Sequence, residues 1–358
     1  MGGGTQITMS VDVSLVLVAY HSSGVARAAV ESFRRESLWH GVTSEVVIVD
    51  QSEDAAEVER LGSLAPEKLL VLPNRGYAAG VNSGVAASTG VTLVTGNPDV
   101  AFGDGSLAAL LAAIDTGWHI VGPQFVLADL LFPPADLQTP GEEFRRWLAS
   151  RMRAFWRRHF RRELRRWRRV WEAEAPVAVR ALSGALLAFR RETFNKVGMW
   201  DEGFFLYFEE TDWLRRAMSD GLRIALVPKA RVEHRWGHAA DPAAMLGHAL
   251  ASRGRFFAAH FGLRGRLVTA LTVSRTPLQP RPLARDQAHL PGGEVLWLVS
   301  PTLVGFPAAG YTGTATAFLA AVETFCDALA RPARYLVFAV EPLTGELVGC
   351  WSWERTDG

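Results

Sequence analysis

The chain has 358 residues, of which 49% are hydrophobic and 21% charged, the balance of a soluble globular protein with room for one large domain and an appendage. Cys326 and Cys350 are its only cysteines, which excludes a disulfide framework and suits a reducing cytosol. The net charge is only +1, but residues 144–170 carry twelve arginines against Glu163, so a segment at +11 sits in a chain otherwise at −10.

The N-terminus, MGGGTQITMS, lacks the basic start and apolar core of a signal peptide, so a cytoplasmic location is expected. The longest uncharged run, Val295 to Val322, could span a bilayer by length. Pro301, Gly305, Pro307, Gly310 and Gly313 interrupt it, which argues against a spanning helix.

Val13 to Ala19 is a continuous apolar run of the kind found in central parallel strands. His21 to Gly24 is a loop, and Val25 to Arg35 has helical spacing. Glu45 to Val49 predicts a second strand ending at Asp50, Gln51 to Asp54 lead into a helix, and Leu69 to Leu72 predict a third strand. Strand and helix alternating at this pitch predict an α/β fold, with a mostly parallel sheet and helices on both faces. In such sheets ligands bind beyond the carboxyl ends of the strands, where Tyr20 and Asp50 sit. An Asp there can accept a hydrogen bond from the imide N–H of uracil or thymine, and it can equally cap a helix.

Asn74 to Gly84 carries glycines at 76, 80 and 84, which let backbone approach a ligand or another helix. Neither GxGxxG nor GxxxxGK[ST] is present, which disfavours a dinucleotide or phosphate loop. Val91 to Thr95 predict a fourth strand running into Gly96-Asn97-Pro98-Asp99. A carboxylate at a strand end can hold a divalent cation across a diphosphate, while the same four residues also suit a simple capped turn.

Trp118 to Phe125 predict a further strand, and Pro133 to Gly141 a loop. Phe144, Leu148, Met152, Phe155, Phe160, Leu164, Trp167 and Trp171 then recur at helical spacing among the arginines, predicting an amphipathic helix over about 142–172. Three readings compete for it. It packs its aromatics on the domain, it binds nucleic-acid phosphates, or it lies on an anionic membrane surface. No recognised DNA or RNA module surrounds it, so nucleic acid is the least favoured partner.

The densest chemistry lies between Ala181 and Asp212. Leu182 to Phe189 suit a buried strand, Arg190 to Lys196 a short helix stopped by Gly198, and Asp201-Glu202-Gly203 a turn. An aromatic ledge, Phe204 to Phe208, leads directly into Glu209-Glu210. Adjacent carboxylates in apolar surroundings have raised pKa values and can serve as proton acceptors. Asp212, with Arg216 one helical turn on, fits an ordinary helix opening. Leu222 to Val227 predict a strand, Arg231 to His234 end another, and His234 and His238 are candidate ligands there. Residues 243–262 read as a helix bearing Arg253 and Arg255. Residues 276–293 hold four prolines and read as a linker, followed by a small α+β unit over 294–358 with no catalytic constellation.

Four ordered motifs within residues 11–262 resemble inverting family-2 glycosyltransferases, in particular their rhamnosyltransferase-like branch. They are Val49-Asp50-Gln51-Ser52-Glu53-Asp54, the Asn74–Gly84 stretch, Asn97-Pro98-Asp99, and Ser183-Gly184-Ala185 through Trp200-Asp201-Glu202 to Glu209-Glu210-Thr211-Asp212 with Arg216. The resemblance implies a GT-A-type fold over residues 1–275. It also implies transfer, with inversion, of a sugar such as rhamnose from a dTDP- or UDP-linked donor to a glycan or lipid-linked acceptor, in cell-surface polysaccharide or glycolipid synthesis. By the same resemblance Glu210 is the catalytic base, where the family more often has Asp, supported by Glu209 and Asp212. Tyr20, Asp50, Asn74, Arg75, Asn82 and Asn97 fall on the nucleotide side, and Asp99 and His234 would hold Mg²⁺ or Mn²⁺. Ser183, Gly184, Trp200, Asp201, Arg253 and Arg255 fall near the diphosphate or acceptor. The membrane reading of the arginine helix would put the protein at the inner face of the plasma membrane. Two rivals stand beside this. One is a non-catalytic sugar-nucleotide sensor or scaffold. The other is a nucleotidyltransferase, for which His21 to Gly24 lack the required Gly-rich and Lys signature.

Overall fold

The computed structural model describes residues 11–136, 138–235, 242–272, 281–282, 290–300, 308–328, 334–342, 344 and 346–354. The first third alternates as the apolar runs predict: β1 (Val13–Ala19), α1 (Ser23–Trp39), β2 (Ser44–Asp50), α2 (Ala55–Gly62), β3 (Lys68–Val71), α3 (Tyr77–Ala87) and β4 (Thr92–Gly96). Then come β5 (Val100–Phe102), α4 (Ser106–Asp115), β6 (Ile120–Leu127) and β7 (Leu130–Leu131). The arginine-rich segment forms α5 (Pro140–Arg151) and α6 (Arg153–Trp171). It is followed by β8 (Val177–Ala178), β9 (Leu186–Arg190), α7 (Arg191–Val197), α8 (Glu209–Ser219), β10 (Ile224–His234) and α9 (Pro242–Leu271). The last part contains β11 (Arg281–Pro282), β12 (Val295–Ser300), β13 (Ala309–Gly313), α10 (Ala315–Ala328), β14 (Arg334–Val340) and β15 (Leu347–Glu354).

The expected α/β class is borne out. β1 pairs in parallel with both β2 and β4, and β2 pairs in parallel with β3. β9 runs antiparallel between β4 and β6, and β10 pairs in parallel with β6. This arrangement brings the end of β4 to the start of β9: Gly96 lies opposite Leu186, and the Asn97 N–H donates to the Ala185 carbonyl at 2.9 Å. Two motifs far apart in sequence therefore share one edge. The glycines of α3 serve the fold here. A Cβ on Gly84 would lie 2.3 Å from Val16 Cγ1, and one on Gly80 2.5 Å from Val18 Cγ1, so α3 can lie directly on β1.

Three boundaries differ from the sequence reading. Residues 182–185 precede β9, with a turn at 184–185, so the strand begins at Leu186. α8 begins at Glu209, three residues before the expected opening at Asp212. The two strands expected over 222–234 are one strand, β10, with an irregularity between Val227 and Arg231.

The arginine segment is two helices rather than one. Thr139 caps α5 with Pro140 in its first turn, and Met152 then takes an extended conformation (φ −130°, ψ 117°) that ends it. The break lets the halves face different neighbours. α5 lies against α9, the Arg253 guanidinium of which bonds Glu143 at 2.5 Å. α6 lays Phe160, Leu164 and Trp167 on Leu296, Leu298, Leu336, Phe338 and Val340 of β12 and β14. Burial of each of these three α6 side chains stabilises this seam by about 1.5–3 kcal/mol.

The C-terminal strands continue the main sheet. The path runs β11-β15-β14-β12-β13-β7-β6-β9-β4-β1-β2-β3 among the described residues. The junction is narrow, since β7 holds two residues and β13 meets it at Gly310 and Leu131. Most of the expected linker lies outside the described residues, as does His238. Val295 to Val322 is broken into β12, β13 and the start of α10, and among the described residues no helix is long and apolar enough to cross a membrane.

Candidate active site

The carboxyl ends of β1, β2 and β4 face one cleft, as parallel topology requires. Asp50 closes β2 fully buried. Its Oδ1 accepts from the Ser52 N–H at 3.0 Å and the Ser52 hydroxyl at 2.6 Å, while its Oδ2 is buried with no hydrogen-bond partner. Such an acceptor is costly unless something donates to it. Tyr20 and His21 stand above it, exposed and edge to face at 4.7 Å. His21 has φ 46°, a left-handed turn, and its N–H donates to Ser52 Oγ at 2.7 Å.

The Asn74–Gly84 stretch does something different from what its asparagines suggest. Asn74 Oδ1 accepts from the Gly76 N–H at 3.1 Å, shaping the turn into α3. Arg75 pairs with Glu202 at 2.6 Å. Asn82 is buried, and both ends of its carboxamide are engaged within the protein: Oδ1 accepts from the Trp200 N–H at 3.0 Å, and Nδ2 donates to the Trp200 carbonyl at 3.0 Å. Asn82 thus clasps the 200–202 turn to α3 and does not present its amide to a nucleotide. Gly76, at φ 94°, allows the next strained segment to come close; a Cβ there would lie 2.5 Å from the Phe205 carbonyl oxygen.

That segment is the aromatic ledge. Tyr207 (φ 67°) and Phe208 (φ 70°) are both in the left-handed region, where bulky side chains cost on the order of 1–3 kcal/mol each. The Tyr77 N–H bonds the Phe205 carbonyl at 2.9 Å, and Phe204 packs with Phe256 and Phe257 of α9, which hold the bend. The bend starts α8 at Glu209 and sets both glutamates in its first turn. Glu209 is buried and its Oε2 has no hydrogen-bond partner. Burial, and then the charge of Glu210, push it well above the usual carboxylate range. Glu210 sits beneath the turn before β9: a Cβ on Gly184 would lie 3.1 Å from both Glu210 Cβ and Cγ. Burial raises its pKa as well.

Tyr77, which sequence reading passed over, lies at the centre. Its hydroxyl donates to the Gly184 carbonyl at 3.2 Å, so the turn beside Glu210 is tied to α3. Burial, then the charges of Glu209, Glu210 and Asp99, hold the phenol protonated well above its ordinary range. The only sequence signal was position, one residue after the Gly76 turn.

Asp99 and His234 meet across β5 and β10. His234 pairs with Val100 in that antiparallel ladder, and His234 Nε2 lies 3.3 Å from Asp99 Oδ1. The Arg235 N–H donates to the Asp99 carbonyl at 3.0 Å, fixing the turn. Among the described residues no group of three or more metal-ligating side chains gathers. One carboxylate and one imidazole fit a cation that completes its shell with diphosphate oxygens.

The remaining candidates separate into near and far. Ser183 and Gly184 are at the site, where Ser183 Oγ accepts from the Ala185 N–H at 3.3 Å. Trp200 is 1% exposed and packs on Tyr77 and Trp213, so it belongs to the core rather than to a ligand contact. Asp201 and Arg255 pair with each other at 2.8 Å, with the guanidinium over the Phe204 ring. Arg253 is held by Glu143 and Thr272 and is not turned to the cleft. Asp212 is a buried node that binds Arg216 at 2.9 Å and His260 at 2.7 Å, while Arg216 donates to the Val197 and Met199 carbonyls. It positions α8 against α9 and the preceding turn. Several of the twelve arginines in 144–170 are likewise engaged: Arg145 and Arg162 pair with Glu142, Arg146 and Arg166 with Asp136, and Arg161 with Glu346.

Residues 11–253 match the family model described as glycosyltransferase like family 2. Two curated relatives are similar, both described as N-acetylglucosaminyl-diphospho-decaprenol L-rhamnosyltransferase, from Mycobacterium tuberculosis strains CDC 1551 / Oshkosh and ATCC 25618 / H37Rv. Each is 34% identical over 159 residues, which is 43% of this chain and 50% of the relative. The chain therefore matches about half the length of these relatives. Among solved structures, GalNAc-T7 with UDP, GalNAc and Mn²⁺ is similar at 16% identity and a TM-score of 0.48, over 68% of this chain and 47% of that one. The mannosyltransferase PcManGT from Pyrobaculum calidifontis in complex with GDP-Man and Mn²⁺ is similar at 17% identity and a TM-score of 0.44, over 75% of this chain and 67% of that one.

Proposed function

The chain belongs to glycosyltransferase like family 2, and from that premise we propose that it is an inverting transferase moving a sugar, rhamnose foremost, from a dTDP- or UDP-linked donor to a lipid-linked glycan acceptor. The family expected from the four motifs is borne out by the match over residues 11–253. The observation that carries the mechanism is the seating of Glu210 against the Gly184 turn, which the Tyr77 hydroxyl ties to α3 at 3.2 Å. Glu210, held against the Gly184 turn, takes the proton of the acceptor hydroxyl as that oxygen attacks the anomeric carbon in line. Glu209 and Glu210 are both raised by burial, so a proton held between them spares the pair a second adjacent negative charge. Asp50 offers its unpartnered Oδ2 to a nucleobase N–H, with Tyr20 at the mouth. Asp99 and His234 are the residues that would hold a divalent cation, Mn²⁺ in preference to Mg²⁺ because of the imidazole. When bound, that cation offsets charge on the leaving diphosphate. In this reading the catalytic unit extends to about residue 275, and β12 and β14 brace α6.

A panel of nucleotide sugars, scored by release of nucleotide, tests the proposal. One dTDP- or UDP-linked sugar is expected to turn over, slowly to water and faster with acceptor. Tight binding of a sugar nucleotide with no release from any donor would favour the sensor or scaffold instead.

A lipid-linked acceptor places the reaction at a membrane surface, and the exposed side chains support peripheral attachment. Phe144, Met152 and Phe155 are exposed around the α5–α6 break, with Arg157 and Arg158 beside them. On α9, past the kink at Gly262, Leu263, Leu267 and Leu271 form an exposed stripe flanked by Arg264 and Arg266. Each arginine near an anionic surface contributes about 1 kcal/mol. Co-sedimentation with anionic vesicles is expected, weakening as salt rises. Equal recovery with neutral vesicles, or indifference to salt, would sink the membrane reading.

A further inference from the structure

A cavity of about 210 Å³ opens between α6, the 134–136 loop and the strand segment 177–181. Five arginines line it: Arg146, Arg162, Arg166, Arg169 and Arg180. Three carboxylates, Asp136, Glu142 and Glu163, answer them. These acids engage Arg146, Arg162 and Arg166, and among the described residues no carboxylate pairs with Arg169 or Arg180. Arg166 has one more unmet donor, because its Nε is buried with no acceptor. The cavity thus carries surplus positive charge, with Arg169 and Arg180 exposed at its mouth and the buried Arg166 Nε as an unfilled donor deeper in, and a guanidinium fork suits phosphoryl oxygens.

Its position gives the anion a purpose. Ala181 lines this cavity and Gly184 touches Glu210, three residues apart, a span of at most about 11 Å of extended chain. A smaller cavity lined by Pro134, Ala135, Leu182 and Ser183 shares the first two residues with the larger one and lies along the same wall. That spacing suits a sugar that carries a diphosphate on one side and presents a hydroxyl on the other. Asp99 and His234, which serve the donor diphosphate in the reading above, lie on other elements.

We propose that this cavity is a second anion site, which grips the diphosphate of the acceptor while the sugar next to it reaches Glu210. The proposal rests on the transferase reading, yet its first test does not need turnover. Calorimetry of the full chain with inorganic pyrophosphate is done with nucleoside diphosphate and Mn²⁺ saturating the donor site. Pyrophosphate is expected to bind still, and Arg169→Gln and Arg180→Gln are each expected to weaken it about tenfold. Arg165→Gln, an exposed arginine of α6 outside the cavity, should leave that affinity alone. Loss of pyrophosphate binding once the donor site is filled, or equal affinity in all four proteins, would overturn the site.

A second arm separates acceptor from lipid headgroup. Wild type is expected to show a lower KM for a short-chain glycosyl diphosphate than for the same sugar as an alkyl glycoside. That gap should close in the Arg169→Gln/Arg180→Gln double variant. If the double variant instead loses anionic-vesicle binding and keeps the KM gap, the arginines serve the headgroups and the acceptor site is refuted. Absence of nucleotide release from every donor, with pyrophosphate binding intact, would count against the transferase reading alone.

Discussion

Glu210→Gln is expected to lower turnover by about two to four orders of magnitude, as loss of a general base does, with nucleoside diphosphate affinity unchanged. The substitution keeps size and hydrogen bonding and removes only the proton acceptor. Its pH behaviour gives a second readout. Burial raises the Glu210 pKa, so the base is lost as pH falls through a value above the ordinary carboxylate range, and the acid limb of kcat/KM should lie there. The stability effect has the opposite sign. A carboxylate whose folded pKa is raised binds more protons folded than unfolded, so stability falls as pH rises from its unfolded pKa through its folded one. At neutral pH the wild type therefore bears a cost that Glu210→Gln lacks, and the variant is expected to melt no lower than wild type while being nearly inactive. Near-normal turnover in Glu210→Gln would remove the assignment and move attention to Glu209.

The second large effect is expected at Asp99. Asp99→Ala should weaken Mn²⁺-dependent binding of nucleoside diphosphate by at least about tenfold, because the cation loses its protein carboxylate. Without metal, wild type and variant should bind alike. Calorimetry over the four combinations of protein and Mn²⁺ decides it, and equal affinity in all four would exclude a cation at this place. The geometry limits the damage to the fold: Asp99 contributes its backbone carbonyl to Arg235, which alanine retains.

What could be read in advance follows from how local each cause is. β1, β2 and β4 are continuous apolar runs, and the strand–helix alternation that follows from them needs no distant partner. Glu209 and Glu210 stand out because the acids follow an aromatic run within six residues. Asn82 and Trp200 misled because each is defined by the other, 118 positions away, and an Asn that clasps backbone looks the same in sequence as one that binds a ligand. Arg253 likewise looked free until Glu143, 110 positions earlier, came beside it. Tyr207 and Phe208 gave no warning of their left-handed backbone, since bulky aromatics rarely adopt it and distant partners, Tyr77 and the phenylalanines of α9, hold the bend. The break at Met152 was hidden because the apolar spacing runs through it unaltered, while the two halves answer to different neighbours.

The seam between α6 and the last strands also dictates an order of assembly. As the chain is synthesised, Phe160, Leu164 and Trp167 emerge long before Leu296, Leu298 and Phe338, which cover them. The backbone offers little help, because β7 is too short to hold the late strands by its own ladder. The contact is non-local and its closure entropy must be met before it stabilises anything. Through that interval the arginines of α6 keep a nascent aromatic face in water and discourage its self-association by mutual repulsion. A chain cut before β12 would keep Asp50, Asp99 and Glu210 and yet leave that seam permanently open.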